Sequence, residues 1–285
     1  MNRDLQQQAQ KVLLDNWRDG YTIPTAQLYP FQWNWDSGFI AIGYLHFDPA
    51  KAIQEFASLF SGQWSNGFLP HILFHKEIKD RYFPNADFWG SQAIAEAPKQ
   101  LKTSGITQPP VHGFVLEKIL NLAADYLPKD FARTYYQKVY LHHRYFYENR
   151  DPHQEGLVYI NHPWESGRDN SPIWNEVYKK WSLAPEEVPP YQRVDNKLAN
   201  PEERPTQDDY DRYVYLVDLA KKVAYKDQDI YAQTPFAVQD TLFNAILIRS
   251  NESLIRIGKA LGENVEELEI WQAKAIDHPR SSLVG

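Results

Sequence analysis

The 285-residue chain has no cysteine and a single methionine. That excludes disulfides, zinc-thiolate sites and a nucleophilic thiol, and it fits a reducing compartment. No apolar run approaches the roughly 20 residues a membrane helix needs. The longest apolar-rich stretch covers only about residues 39–47. Residues 1–8, Met-Asn-Arg-Asp-Leu-Gln-Gln-Gln, lack the apolar core of an export signal, so a soluble cytoplasmic protein is expected. An excess of positive charge is missing too. The 30 Lys and Arg lie scattered among 37 Asp and Glu, for a net charge of −7 and a pI near 5.7. Nucleic acid requires a basic face, and the sequence offers none. Neither metal-ligand spacing nor a Gly-rich phosphate loop is present, so no metal or cofactor is expected.

What the chain has in quantity is aromatic side chains: 9 Trp, 18 Tyr and 14 Phe. Many stand beside Asp, Asn, Gln and His in segments that read as loops. Sugars have apolar ring faces edged with hydroxyls, and a site for them mixes flat rings with fixed hydrogen-bonding groups. A small carbohydrate is therefore the first ligand class to consider.

The densest such segment is residues 161–172, Asn-His-Pro-Trp-Glu-Ser-Gly-Arg-Asp-Asn-Ser-Pro. Pro163, Gly167 and Pro172 keep it from becoming a plain helix. Were it helical, Glu165 and Asp169 would repel at i,i+4. Two readings stand side by side: a site, or a turn whose Asp169 or Ser171 caps the next helix.

Around it the pattern is helix, loop, helix. Residues 3–17 form an amphipathic helix stopped by Gly20, and helices are expected at about 36–46, after Asp48-Pro49, at 111–126 and at 128–147. Others are expected after Pro172, from 207 to about 226, and over roughly 235–250, 251–261 and 263–276. Residues 62–90 form a long loop with a short strand near 67–74, and residues 183–206 a charged, Pro-rich one. Without alternation of strand and helix a parallel sheet is excluded, and an all-α domain of paired helices follows. The rich loops precede successive helices, which would gather them at one end of a toroid.

Several residues carry both a chemical and a plain reading. Trp35 and Asp36 offer a stacking ring and a bidentate acceptor, or a core Trp beside a first-turn acid favoured by the helix dipole. His71 is a sugar ligand or a satisfied core histidine; Gln108, before two prolines, is a fixed amide or a turn residue. Asp169 is a candidate general acid, because burial beside Trp164 would raise its pKa. Arg168 would hold another carboxylate down, or neutralise Glu165; His162 would shuttle protons, or cap the turn. Arg204 is the cation an acidic protein needs to hold an anionic small molecule, or a solvated charge, and Tyr210 shares that ambiguity.

Four segments then resemble glycoside hydrolase family 63, in that family's order: Leu-Tyr29-Pro-Phe-Gln-Trp-Asn-Trp35-Asp36, Gly67-Phe-Leu-Pro-His71, Thr103-Ser-Gly-Ile-Thr-Gln108 and Trp164-Glu-Ser-Gly-Arg-Asp169. The likeness is greatest to the mannosylglycerate and glucosylglycerate hydrolases and covers nearly the whole chain. It implies a single (α/α)6 toroid over residues 1–285, amounting to the N-terminal two-thirds or so of a full barrel. It also implies an inverting hydrolase with Asp169 as general acid. Tyr29, Trp35, Asp36, His71, Gln108, Trp164 and Glu165 would bind the sugar, and Arg204 and Tyr210 an anionic glycerate. A full barrel has twelve helices and a C-terminal Glu as base. The sequence shows about nine or ten, and the segment from Asp277 to Gly285 does not resemble the one that carries that Glu. A fragment of a longer enzyme, a non-catalytic binding copy and a barrel completed by self-association or a second chain are all compatible. So is a relative acting on neutral disaccharides such as trehalose.

Overall fold

A computed structural model describes residues 3–78 and 81–281. Readings that fall on residues 1–2, 79–80 and 282–285 lie outside the described residues. The helices are α1 (Arg3–Asn16), α2 (Asn34–Tyr44), α3 (Pro49–Ser61), α4 (Ala86–Trp89), α5 (His112–Leu122), α6 (Phe131–Asn149), α7 (Asn175–Tyr178), α8 (Gln207–Lys222), α9 (Asp227–Gln233), α10 (Thr241–Leu261) and α11 (Glu266–Ser281). None is long and apolar enough to cross a membrane among the described residues.

Local signals explain the boundaries. Asp48 accepts the Lys51 amide at 3.2 Å and Pro49 takes the first position of α3, whose Ala52, Ile53, Phe56, Leu59 and Phe60 form one buried stripe. Asp240 does the same for α10, accepting the Phe243 amide at 2.9 Å, and Gly262 ends that helix in the left-handed region. Two helices were expected over 235–261, but α10 is continuous. Ser250 and Asn251, which read as a break, point into the core, and the Asn251 amide donates to the Leu268 carbonyl at 2.9 Å. After Pro172 only a 3-10 turn and the single turn of α7 form, and α9 is a helix the sequence reading missed.

Helix α5 is the hub, packing on α2, α3, α6 and α10, while α10 also packs on α6 and α11. At the α5–α10 crossing the Gly113 amide donates to Ser250 Oγ at 2.7 Å, and a Cβ on Gly113 would overlap the Ser250 backbone. One buried cluster lies among α2, α3, α5, α6 and α10, and another under the loops that run from about residue 64 to the start of α10.

The short strands do the positioning. β3 (Gln32–Trp33), β4 (Ile72–Phe74) and β5 (Lys102–Thr103) form an antiparallel sheet in that order, with Trp33 opposite Ile72 and Leu73 opposite Thr103. This brings three loops together: the one that starts α2, the one through His71 and the one through Gln108. β1 (Trp17–Arg18) and β2 (Tyr21–Thr22) form a separate hairpin after α1.

Candidate active site

The start of α2 is fastened to its neighbours. The Asn34 amide donates to the His71 carbonyl at 2.9 Å, and the Asn34 side chain donates to the Pro70 carbonyl at 3.0 Å. The Trp35 amide donates to Gln108 Oε1 at 3.2 Å. Orphan first-turn amides thus find partners on the adjoining loops, which fixes Trp35 and Asp36 where the loops meet. Burial pushes the Asp36 carboxyl up to about 6, although its own backbone amide stabilises the ionised form.

The loop of residues 161–174 faces it. His162 Nδ1 accepts the Trp164 amide at 3.1 Å, so Nε2 carries the proton and donates to the Tyr213 carbonyl at 3.0 Å. Both ring nitrogens are taken by the backbone, which makes His162 a turn cap, and burial holds the imidazole down at about 3. Gly167 takes φ +68° and turns the chain beneath the Trp35 ring. The Tyr213 hydroxyl donates to the Asp169 carbonyl at 3.0 Å, and the Trp174 indole to the Arg168 carbonyl at 3.0 Å. Burial raises the Asp169 carboxyl above its ordinary range; nearby Asp195 adds to this, and its own amide and Arg204 oppose it.

Glu165 does not line the cavity. It is fully buried and accepts Arg150 Nη1 at 2.8 Å on both oxygens, the Thr107 amide at 3.0 Å and the Asn161 amide at 2.9 Å. Arg150 Nε in turn donates to Asp227 at 2.9 Å. Glu165 therefore ties the Gln108 loop to the Asp169 loop from below. Arg168 is not its partner: it pairs with Asp240, with its guanidinium 5.9 Å from the Trp174 ring. His71 is likewise a supporting residue. It is buried, its Nδ1 lies 2.6 Å from Ser104 Oγ, and its ring is flanked by Trp33, Trp89 and Trp164.

The other eight predicted residues meet in one cavity of about 290 Å³: Tyr29, Trp35, Asp36, Gln108, Trp164, Asp169, Arg204 and Tyr210. Trp33, Arg81, Tyr82 and Asp195 line it as well and were missed. Trp33 stands inside a motif the sequence reading singled out, whereas Tyr82 and Asp195 come from long irregular loops, whose paths have no local signal. Arg204 lies at one side, its Nε donating to Asp195 at 2.8 Å and its Nη1 to the Tyr29 hydroxyl at 3.2 Å. Tyr210 donates to the Phe83 carbonyl at 3.0 Å and carries Arg193 over its ring at 4.4 Å. Among the described residues no cluster of His and acids is arranged to hold a metal. Indoles, raised carboxyls and a partly buried arginine around one small cavity suit a polar, ring-shaped ligand with an anionic end.

Residues 29–280 match the family described as mannosylglycerate hydrolase MGH1-like glycoside hydrolase domain. A mannosylglycerate hydrolase from Rubrobacter radiotolerans is 42% identical over 96% of this chain and 62% of its own length. Another, from Thermus thermophilus, is 46% identical over 92% of this chain and 62% of its own. In solved structures, a GH63 mannosylglycerate hydrolase from Thermus thermophilus in complex with Tris and D-glycerate superposes with a TM-score of 0.85 and 43% identity, over 95% of this chain and 63% of that one. The chain thus spans less than two-thirds of the length of these relatives, and its mainly helical fold is part of the toroid that the sequence motifs imply.

Proposed function

We propose that this chain, which belongs to the mannosylglycerate hydrolase MGH1-like glycoside hydrolase family, carries the sugar subsite, the general acid and the anion subsite of an inverting α-glycosidase. Its substrate is a glycoside of glycerate, mannosylglycerate or glucosylglycerate. The observation that carries this reading is the placement of Asp169, with a raised carboxyl pKa, in one cavity with Trp35, Asp36 and Arg204. Trp35 and Trp164 offer ring faces to the sugar, Asp36 and Gln108 accept or donate at its hydroxyls, and Arg204 meets the glycerate carboxylate.

In the reaction the Asp169 carboxyl gives its proton to the glycosidic oxygen as the bond from that oxygen to the anomeric carbon breaks. A water attacks the opposite face of the sugar and a second carboxylate takes its proton, so the product is released with inverted configuration. None of the lining acids is assigned to that second role: Asp36 faces the sugar hydroxyls and Asp195 is held between two arginines. A cytoplasmic location belongs to the same proposal and is supported by the cysteine-free composition.

A second reading is a chain that binds the sugar without hydrolysing it, and it is favoured by the lining acids, none of which is placed as the base. Completion of the barrel by a second copy or another chain would restore activity. Calorimetry with D-glycerate, mannosylglycerate and glucosylglycerate, run beside a product assay and a mass measurement in solution, separates these cases. Binding that Arg204→Ala weakens for the glycerate ligands alone supports the glycerate assignment. An equal loss for neutral glucosides would remove it.

A further inference from the structure

The wall around Arg204 contains a carboxylate that the proposed chemistry does not use. Asp195 lines the cavity, and its two oxygens are shared between two guanidiniums: Oδ1 accepts Arg193 Nε at 2.7 Å, while Oδ2 accepts Arg193 Nη2 at 3.1 Å and Arg204 Nε at 2.8 Å. Burial alone would raise its pKa, but the hydrogen bonds and charge of Arg193 and Arg204 outweigh burial and hold it below the ordinary range, so it is ionised at neutral pH. The cluster of two arginines and one aspartate has a net charge of +1. Arg193 is turned away over the Tyr210 ring, and the Nε and Nη1 of Arg204 are engaged by Asp195 and Tyr29. What faces the cavity is one guanidinium edge with a fixed negative charge beside it. The other lining cation, Arg81, is solvent-exposed, where water screens it.

From this we propose that Asp195 is a specificity-determining residue that restricts the anion subsite to aglycones carrying a single negative charge. A monocarboxylate matches the cluster's charge of +1. A second anionic group on the same small aglycone is placed against the Asp195 carboxylate in a confined cavity, where like charges repel far more strongly than in water. Asp195 also sets the orientation of Arg204, so a monoanion meets a donor already in place and loses little in ordering it.

This inference rests on the glycerate reading, and the test separates the two. The probes are D-glycerate and tartronate, which is glycerate with its CH2OH replaced by a carboxylate: the same three-carbon frame with one more charge. Calorimetric titrations compare the wild-type chain, Asp195→Asn and Asp195→Glu. Wild type and Asp195→Glu are expected to prefer glycerate by about tenfold or more, and Asp195→Asn to shift that ratio toward tartronate by about tenfold while still binding glycerate. If glycerate binds in an Arg204-dependent way but Asp195→Asn leaves the ratio unmoved, charge selection by Asp195 is overturned and the glycerate reading stands. If Asp195→Asn loses both anions, Asp195 only positions Arg204 and the selectivity claim fails. If the wild-type chain binds neither anion, the glycerate reading fails and this inference falls with it.

Discussion

Gly167 lies so close under the indole of Trp35 that a Cβ at this position would sit within the ring's van der Waals radius. The left-handed φ of +68° is one that a side chain adopts at a cost, and the contact above it leaves no room for one. A residue on the Asp169 loop thereby fixes the height of a ring at the start of α2, on the opposite wall of the cavity.

Gly167→Ala is therefore expected to lift Trp35 and to lose about 1 kcal/mol of stability from the backbone alone. Sugar affinity should fall about tenfold, read by calorimetry and by the Trp fluorescence change on binding. A variant that binds as wild type would mean that Trp35 is not a sugar platform.

The buried Arg150–Glu165–Asp227 network predicts a different signature. Removing one partner leaves an uncompensated charge in the interior, at a cost of roughly 3–5 kcal/mol. Glu165→Ala and Arg150→Ala should each lower the unfolding free energy from denaturant titration by that measure. Because each mutation breaks the same pair, the double variant should lose much less than the sum. Additive losses would show that the two side chains act independently.

Part of the acid sensitivity should come from α5 and α6. His112, His142 and His143 are fully buried, with His112 held down at about 3 and His143 at about 4, in each case first by burial, and His142 well below the ordinary value for the same reason. A histidine whose folded pKa is depressed binds fewer protons folded than unfolded, so stability is lost as pH falls from about 6.5 toward the folded value. Each contributes about 1.4 kcal/mol per pH unit in that window. Glu55 works oppositely, since burial raises its carboxyl to about 7 and stability is lost as pH rises from 4.5 through 7. Urea midpoints at pH 7, 6 and 5 should decline, and His112→Gln should flatten that decline. A constant midpoint would contradict the burial of these rings.

The legible parts of this protein are those encoded locally. Capping at Asp48-Pro49, the apolar stripe of α3 and the turn residues Pro163 and Gly167 act within a few positions of themselves, so the helices and the loop after Asn161 can be read directly. The eight predicted residues that line the cavity stand in short motifs, and their roles are those the resemblance to family 63 implies. The role of Glu165 was not legible, because its partners Thr107 and Arg150 reach it only through the tertiary fold. Tyr82 and Asp195 belong to long irregular segments, where position is set by the wall they pack against.

The sharpest prediction concerns Asp169. Its carboxyl must be protonated to act as an acid, and burial raises its pKa in the direction that keeps a proton available near neutrality. Asp169→Asn keeps the shape and loses the transferable proton, so any hydrolysis by this chain, or by a barrel it helps to complete, should fall by about 10²–10⁴-fold while ligand affinity stays within about threefold. If the wild-type chain only binds, the variant should bind equally well, and hydrolysis should appear only when the wild-type chain, with Asp169 in place, is supplied with a carboxylate opposite it. Unchanged turnover in Asp169→Asn would take this residue out of the mechanism and leave the cavity without its acid.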